Sequence, residues 1–182
     1  MAVETSIIIR TLNEAKHLEK LLKGIHGQNY HDWEIILVDS GSTDDTMGIA
    51  SRYGVRIFHI PQAEFTFGRS LNLGCQQARG RYLLFASGHV WPVTNNWLRN
   101  MVKPFEEPAV AMVYGRQRGT DTSRLSELKD LEDQFGPTSH IFVDEPKGNN
   151  GNAATRHDLW LDQPFDESLP GLEDGDWARK AE

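Results

Sequence analysis

Three places in the chain gather residues that could do chemistry: Asp39, the turn Ser87-Gly88-His89, and the acidic cluster Glu173, Asp174 and Asp176. Asp39 ends the apolar run 35–38, which is rich in β-branched residues and too short for a helix. Such a run suits a strand covered on both faces, as in a parallel sheet. A small polar turn, Ser40-Gly41-Ser42, follows, and Asp44 and Asp45 then fall where a helix should start, with the dipole favouring their charge. A carboxylate at the carboxyl end of a buried parallel strand stands where open α/β sheets bind ligands. It can accept from a ribose hydroxyl or a base N–H, or it can simply cap the turn.

The elements that must position these residues follow from periodicity. Strands are predicted at 6–9, 35–38, 55–60, 82–86 and 109–114, and a further one at 152–155. Helices are predicted between them. Leu18, Leu21, Leu22 and Ile25 mark one face of the first, with Thr11 and Glu14 at capping-box spacing before it. A second runs over 43–53 and stops at Gly54, and a third covers 67–79 with Leu71, Cys75 and Ala78 on one side and Gly80 at its end. Others are expected over 95–105, 123–135 and 171–180, with loop over 136–148 around the short apolar run 141–143. Repeated β-α units with short links imply right-handed crossovers and a mostly parallel α/β sheet with helices on both faces.

Size and composition set limits. At 182 residues, with 38% hydrophobic and 25% charged content, the chain can build one domain with a real core. The balance of 19 basic against 26 acidic residues, without a basic block, excludes a nucleic-acid backbone as partner. The single cysteine, Cys75, excludes an internal disulfide and fits a reducing, cytoplasmic compartment. No apolar run approaches the ~20 residues of a membrane span, which leaves peripheral contact at the inner face of a membrane open. Several chemistries are absent. There is no P-loop, no G-x-G-x-x-G after the first strand, and no metal spacing among the seven histidines. Gly68-Arg69-Ser70 lacks the second glycine of a nucleophile elbow.

Five segments together resemble family 2 glycosyltransferases: Ile7-Ile8-Ile9-Arg10-Thr11-Leu12-Asn13-Glu14, Ile36-Leu37-Val38-Asp39-Ser40-Gly41-Ser42-Thr43-Asp44, Arg69-Ser70-Leu71-Asn72-x-Gly74, Ala78-Arg79-Gly80-x-Tyr82, and Pro164-Phe165-Asp166-Glu167-x-Leu169-x-Gly171-x-Glu173-Asp174-x-Asp176-Trp177. The resemblance implies a GT-A fold and inverting transfer of a hexosyl or deoxyhexosyl group from a nucleotide-sugar donor. The acceptor it implies is a glycan or a lipid-linked hydroxyl, as in bacterial cell-envelope polysaccharide synthesis. By position, Thr11, Glu14, Asp39 and Ser42 would hold the nucleoside part of the donor, and Arg69 and Asn72 would approach it from the third helix. An exposed polar face is the other reading of Asn72. Asp174 would be the catalytic base, with Glu173 orienting it; alternatively the acids only load the N-terminus of the last helix. Residues 1–115 would form the nucleotide-binding half and 116–182 the acceptor-side half of a single domain, cut short at its C-terminus.

One departure is visible. Where the family usually carries an Asp-x-Asp signature that meets the donor's Mn or Mg ion, this chain reads Ser87-Gly88-His89. His89 would ligate the metal, donate directly to a phosphate oxygen, or pack beside Trp91. Hard cations prefer oxygen donors, so a GT-A-like module that binds a nucleotide or glycan without turnover is the alternative to an enzyme.

Overall fold

Ile7, Ile8 and Ile9 are fully buried in the middle of β1 (Thr5–Thr11). Consecutive strand residues point to opposite faces, so an apolar run without a polar break needs cover on both sides. The computed structural model, which describes residues 3–121, 123–142 and 148–181, supplies that cover. Val143, the last residue of the apolar run 141–143, lies outside the described residues.

The strands are β1, β2 (Trp33–Asp39), β3 (Arg56–His59), β4 (Tyr82–Ser87), β5 (Met112–Tyr114) and β6 (Asn152–Arg156). They form one sheet in the order β3-β2-β1-β4-β6-β5. The first four are mutually parallel, and β6 runs antiparallel between β4 and β5. All six predicted strands are therefore present. The edge strand β5 is shorter than its apolar run, and the halves 1–115 and 116–182 share the one sheet.

The helices are α1 (Ala15–His26), α2 (Thr46–Ser51), α3 (Phe67–Gln76), α4 (Trp97–Val102), α5 (Leu125–Gln134), α6 (His157–Asp162) and α7 (Glu173–Lys180). Helices α1, α2 and α4 cover one face, burying Leu18, Leu21, Leu22, Ile25, Ile49, Leu98 and Met101 against Ile7, Ile9 and Leu37. Each such side chain contributes about 1.5–3 kcal/mol. The opposite face packs Leu71 and Cys75 of α3, Trp160 of α6 and Trp177 of α7 on Ile8, Val38 and Phe85. Helix α5 buries none of its residues.

Two local expectations are corrected, and one unforeseen helix is added. Thr11 belongs to β1, and Glu14 occupies the cap of α1 without a side-chain capping bond, so the capping box does not form. Asp44 and Asp45 precede α2 rather than starting it; the Asp44 carboxylate accepts from the N–H of Thr46 and from that of Ala15, across the gap to α1. Helix α6 is a six-residue turn of helix that periodicity does not reveal.

Strand order reverses between β1, which leads outward to β2, and β4, which leads the other way. Ligands of open α/β sheets bind in the crevice outside the strand ends at such a switch point. Here its walls are the carboxyl ends of β1 and β4, where Arg10 is paired with Ser87. The opposite end of the sheet is closed by Gly80, where a Cβ would lie 2.6 Å from the Ser6 nitrogen and 2.7 Å from the Thr5 carbonyl carbon. Because those neighbours are backbone, Gly80→Ala should lower stability by about 1–3 kcal/mol in urea unfolding. An unchanged midpoint would contradict this packing.

Candidate active site

Asp39 is 2% exposed and lies at the end of β2 beside Thr11. Its Oδ1 accepts from Thr11 Oγ1 at 3.1 Å and from Ser42 Oγ at 2.5 Å. Its Oδ2 accepts from the N–H groups of Gly41 and Ser42, both at 3.0 Å. Gly41 makes that turn possible at φ +100°. Burial opposes ionisation of Asp39, but the bonds from Ser42, Gly41 and Thr11 outweigh it and hold the carboxyl below its usual range. All four acceptor positions of the carboxylate are thus taken by its own chain. The turn-capping reading is realised, and a ligand could reach Asp39 only by displacing one of these donors.

The same turn is tied to the loop after β1. Asn13, at φ 57°, donates its N–H to Ser42 Oγ and accepts at its Oδ1 from the N–H of Thr43, both at 2.8 Å. Glu14 donates its N–H to Thr46 Oγ1 at 2.8 Å. The Glu14 side chain turns the other way, toward β4. Its Oε1 is 2.8 Å from Nδ1 of His89, whose own side chain is exposed. Gly88 permits this approach, since a Cβ there would lie 2.7 Å from Glu14 Cγ and 3.2 Å from the Arg10 carbonyl. Glu14 and His89 therefore meet at the switch point, with Ser87 at the end of β4 paired to Arg10. The described residues contain no group of three or more His, Cys, Asp or Glu side chains able to hold a metal. What this corner offers an ion is one carboxylate and one imidazole.

Glu173 and Asp174 open α7, after Leu172 at φ 64°. Glu173 is 5% exposed, and its Oε1 lies 3.8 Å from Nη1 of Arg10. Asp174 is partly exposed and held from two sides. Its Oδ2 accepts from the N–H of Asn150 at 3.1 Å and its Oδ1 from that of Gly175 at 2.7 Å. Gly148 packs against the same turn, where a Cβ would come within 2.4 Å of the Asp174 carbonyl oxygen. Among the described residues, two acceptor positions on Asp174 stay free for a proton or a hydroxyl donor.

Two predicted residues are placed elsewhere. Asn72 is buried and fully bonded: its Oδ1 accepts from Trp160 Nε1 and the Phe165 N–H, and its Nδ2 donates to the Phe165 carbonyl and to Glu167. Neither donor contact nor an exposed face fits that position; Asn72 fastens α3 to α6 and to the segment before α7. Arg69 pairs with Glu64 on the wall of a shallow depression of about 370 Å³ that His59, Leu73 and Glu167 also line. Sequence reasoning assigned no role to Arg10 or Asn150. The signal for Arg10 was the same as for Asp39, a charge closing a buried apolar strand.

The Asp39 cluster has a stability signature. A carboxyl held below its usual value of 3.8 stabilises the fold fully above that value and loses the contribution as pH falls through the folded value. Asp39→Asn should therefore cost about 1–3 kcal/mol near neutral pH, with the difference from wild type shrinking in acid, below the ordinary carboxylate value of 3.8. Urea unfolding at the two pH values checks it, and a pH-independent difference would contradict it.

The comparisons with known proteins agree with this fold. Residues 6–157 match the family model for glycosyl transferase family 2. The O-antigen chain rhamnosyltransferase RfbN of Salmonella typhimurium is 28% identical over 117 residues, covering 63% of this chain and 37% of that protein. A PGL/p-HBAD biosynthesis glycosyltransferase of Mycobacterium bovis is 39% identical over 84 residues, 44% of this chain and 33% of its own length. Among solved structures, TarS 1–349 of S. aureus superposes with a TM-score of 0.74 at 21% identity, covering 98% of this chain and 55% of that one. The mannosyltransferase PcManGT of Pyrobaculum calidifontis, solved in complex with GDP-Man and Mn2+, gives 0.73 at 22% identity, with 100% and 52% coverage. The chain thus spans about a third of these curated relatives and about half of these solved chains. The sheet and its flanking helices are a GT-A fold, and the chain belongs to glycosyl transferase family 2.

Proposed function

We propose that this chain carries out inverting transfer of a hexosyl or deoxyhexosyl group from a nucleotide-sugar donor to a hydroxyl of a glycan or lipid-linked acceptor. The observation that carries the reading is Asp174: a carboxylate steadied by two backbone N–H groups, with two acceptor positions left among the described residues, on the helix packed against the end of β1. In this reading the acceptor hydroxyl oxygen attacks the anomeric carbon and Asp174 takes its proton. The bond from that carbon to the diphosphate oxygen breaks, and its electron pair leaves with the nucleoside diphosphate. Glu173 stands alongside and helps to orient Asp174. The rim of Thr11, Asp39 and Ser42 supports the nucleoside by its shape and backbone, and Arg69 faces the neighbouring depression.

Glu14 and His89 form the side of the site assigned to the diphosphate. Magnesium and manganese commonly bind through one or two carboxylates and complete their shell with water and substrate phosphates. One carboxylate and one imidazole therefore fit as the protein's share of such a site, and the ion would supply charge neutralisation to the leaving diphosphate. The names of the relatives, an O-antigen rhamnosyltransferase and a PGL/p-HBAD glycosyltransferase, support a deoxyhexosyl or hexosyl donor and a bacterial envelope product. A cytoplasmic location, where nucleotide sugars are used, accords with the single buried Cys75. Among the described residues no helix is long and apolar enough to cross a membrane.

The thin donor set at His89 favours a second reading, a GT-A-like module that binds a nucleotide or glycan without turnover. Release of nucleoside diphosphate from a panel of nucleotide sugars with manganese separates the two. The transferase reading expects release by wild type and a loss of about 10²–10⁴-fold in Asp174→Asn, with donor affinity unchanged. Near-normal turnover in the variant would return Asp174 to the role of helix-end charge, and binding without release in wild type would favour the module.

A further inference from the structure

Arg10 is the only charged residue of β1, and alternation places it on the face of Ile8, toward α3 and α7. Its guanidinium carbon lies 4.9 Å from the centroid of the Phe67 ring at the start of α3, and its Nη1 lies 3.8 Å from Glu173 Oε1 at the start of α7. Only 15% of the Arg10 side chain and 6% of that of Glu173 are exposed. Burial pulls the Arg10 pKa below its usual value, and the charges of Glu173 and Asp174 pull it back up. A contact of 3.8 Å is an interaction of charges rather than a hydrogen bond. Continuum arguments and substitution data agree that a well-packed apolar residue is often as stable as a buried ion pair, or more so.

A second observation points to the same place. Among the described residues, the buried side-chain nitrogen and oxygen atoms without a hydrogen-bond partner are Arg10 Nη1 and both amide atoms of Asn150. Asn150 is 2% exposed, and its own N–H is one of the two groups that hold Asp174. Orphaned buried polar atoms are rare and cost about 1–3 kcal/mol each. One of the three belongs to the guanidinium that faces Glu173, and the other two to the residue whose backbone N–H holds Asp174. That is the pattern of a site organised for chemistry at the expense of stability.

We propose that Arg10 is the positioning residue of Asp174: its guanidinium, held between Phe67 and Glu173, fixes the first turn of α7 and with it the direction of the Asp174 carboxylate. Arg10 acts through Glu173 and the helix backbone and does not touch the reacting atoms. The inference rests on the reading of Asp174 as the base.

Arg10→Met, Arg10→Lys, Glu173→Gln and the Arg10→Met/Glu173→Gln pair test it in the full chain. The measurements are nucleoside diphosphate release with donor and acceptor, and nucleoside diphosphate affinity by calorimetry. Misplacing a catalytic group by about 1 Å costs on the order of 10²-fold, so Arg10→Met should lose about that much kcat. Donor KM and nucleoside diphosphate affinity should stay unchanged. Arg10→Lys, which keeps the charge but not the flat contact with Phe67, should fall between the two, about tenfold below wild type. The double variant should be no slower than Arg10→Met alone, because both substitutions break one connection. Wild-type kcat in Arg10→Met, a rise confined to donor KM, or losses that simply multiply in the double variant would overturn the role of Arg10. If Arg10→Met fails to fold, Arg10→Lys carries the test, and wild-type kcat there would overturn the proposal. A wild-type chain that releases nothing from any donor would instead sink the transferase reading.

Discussion

Four hydrogen bonds onto the Asp39 carboxylate, one from Thr11 at the end of β1 and three from the turn after β2, fix the rim from which the candidate site is built outward. Parallel strands cannot be joined by a tight hairpin, so the loops that follow them arrive at the sheet edge separately and need an independent means of registration. Thr11 and Asp39 are direct cross-strand partners, which brings the hydroxyl to the carboxylate without any loop flexibility. From there the ties run outward through Ser42 to Asn13, through Thr43 to Asn13, and through Thr46 and Asp44 to the start of α1. Glu14 emerges from this lattice already aimed at His89.

The other side of the crevice is arranged on a different physical basis. Asp39 is satisfied by short neutral donors, whereas Glu173 faces a buried guanidinium across 3.8 Å without a hydrogen bond. One wall is therefore saturated, and the other holds polar atoms, on Arg10 and Asn150, that have no partner among the described residues. A saturated wall suits holding a shape against a bound nucleoside. An under-satisfied wall suits a place where charge and protons move, because preorganised groups there are strongest when nothing of their own chain quenches them.

Much of this was legible in the sequence because it is local. Apolar runs mark β1 to β5, and the carboxylate that closes β2 marks the edge at which the site lies. What escaped is set by partners far away in the chain. Asn72 looks like a surface residue of an amphipathic helix until Trp160 and Phe165, about ninety positions on, supply its donors. Thr11 and Glu14 have capping-box spacing, but pairing with β2 keeps Thr11 in the strand, where its hydroxyl serves Asp39 instead. The antiparallel insertion of β6 between β4 and β5 likewise has no local signal; it follows from which sheet edge is free once β1 to β4 have paired.

The central claim is that the crevice between β1 and β4 is a nucleotide-sugar site, and amide chemical-shift mapping of the 20.6 kDa chain tests it most directly. Titration with UDP, GDP and dTDP, each with manganese replaced by a diamagnetic ion such as magnesium, reads binding at every described amide. The account predicts that one nucleotide shifts the amides of Asn13, Ser42, Gly88 and His89 together, at the two loops and the β4 end that face the switch point. Shifts gathered instead on the exposed surface of α5 around Leu128 and Glu132, with those four amides unmoved, would contradict it.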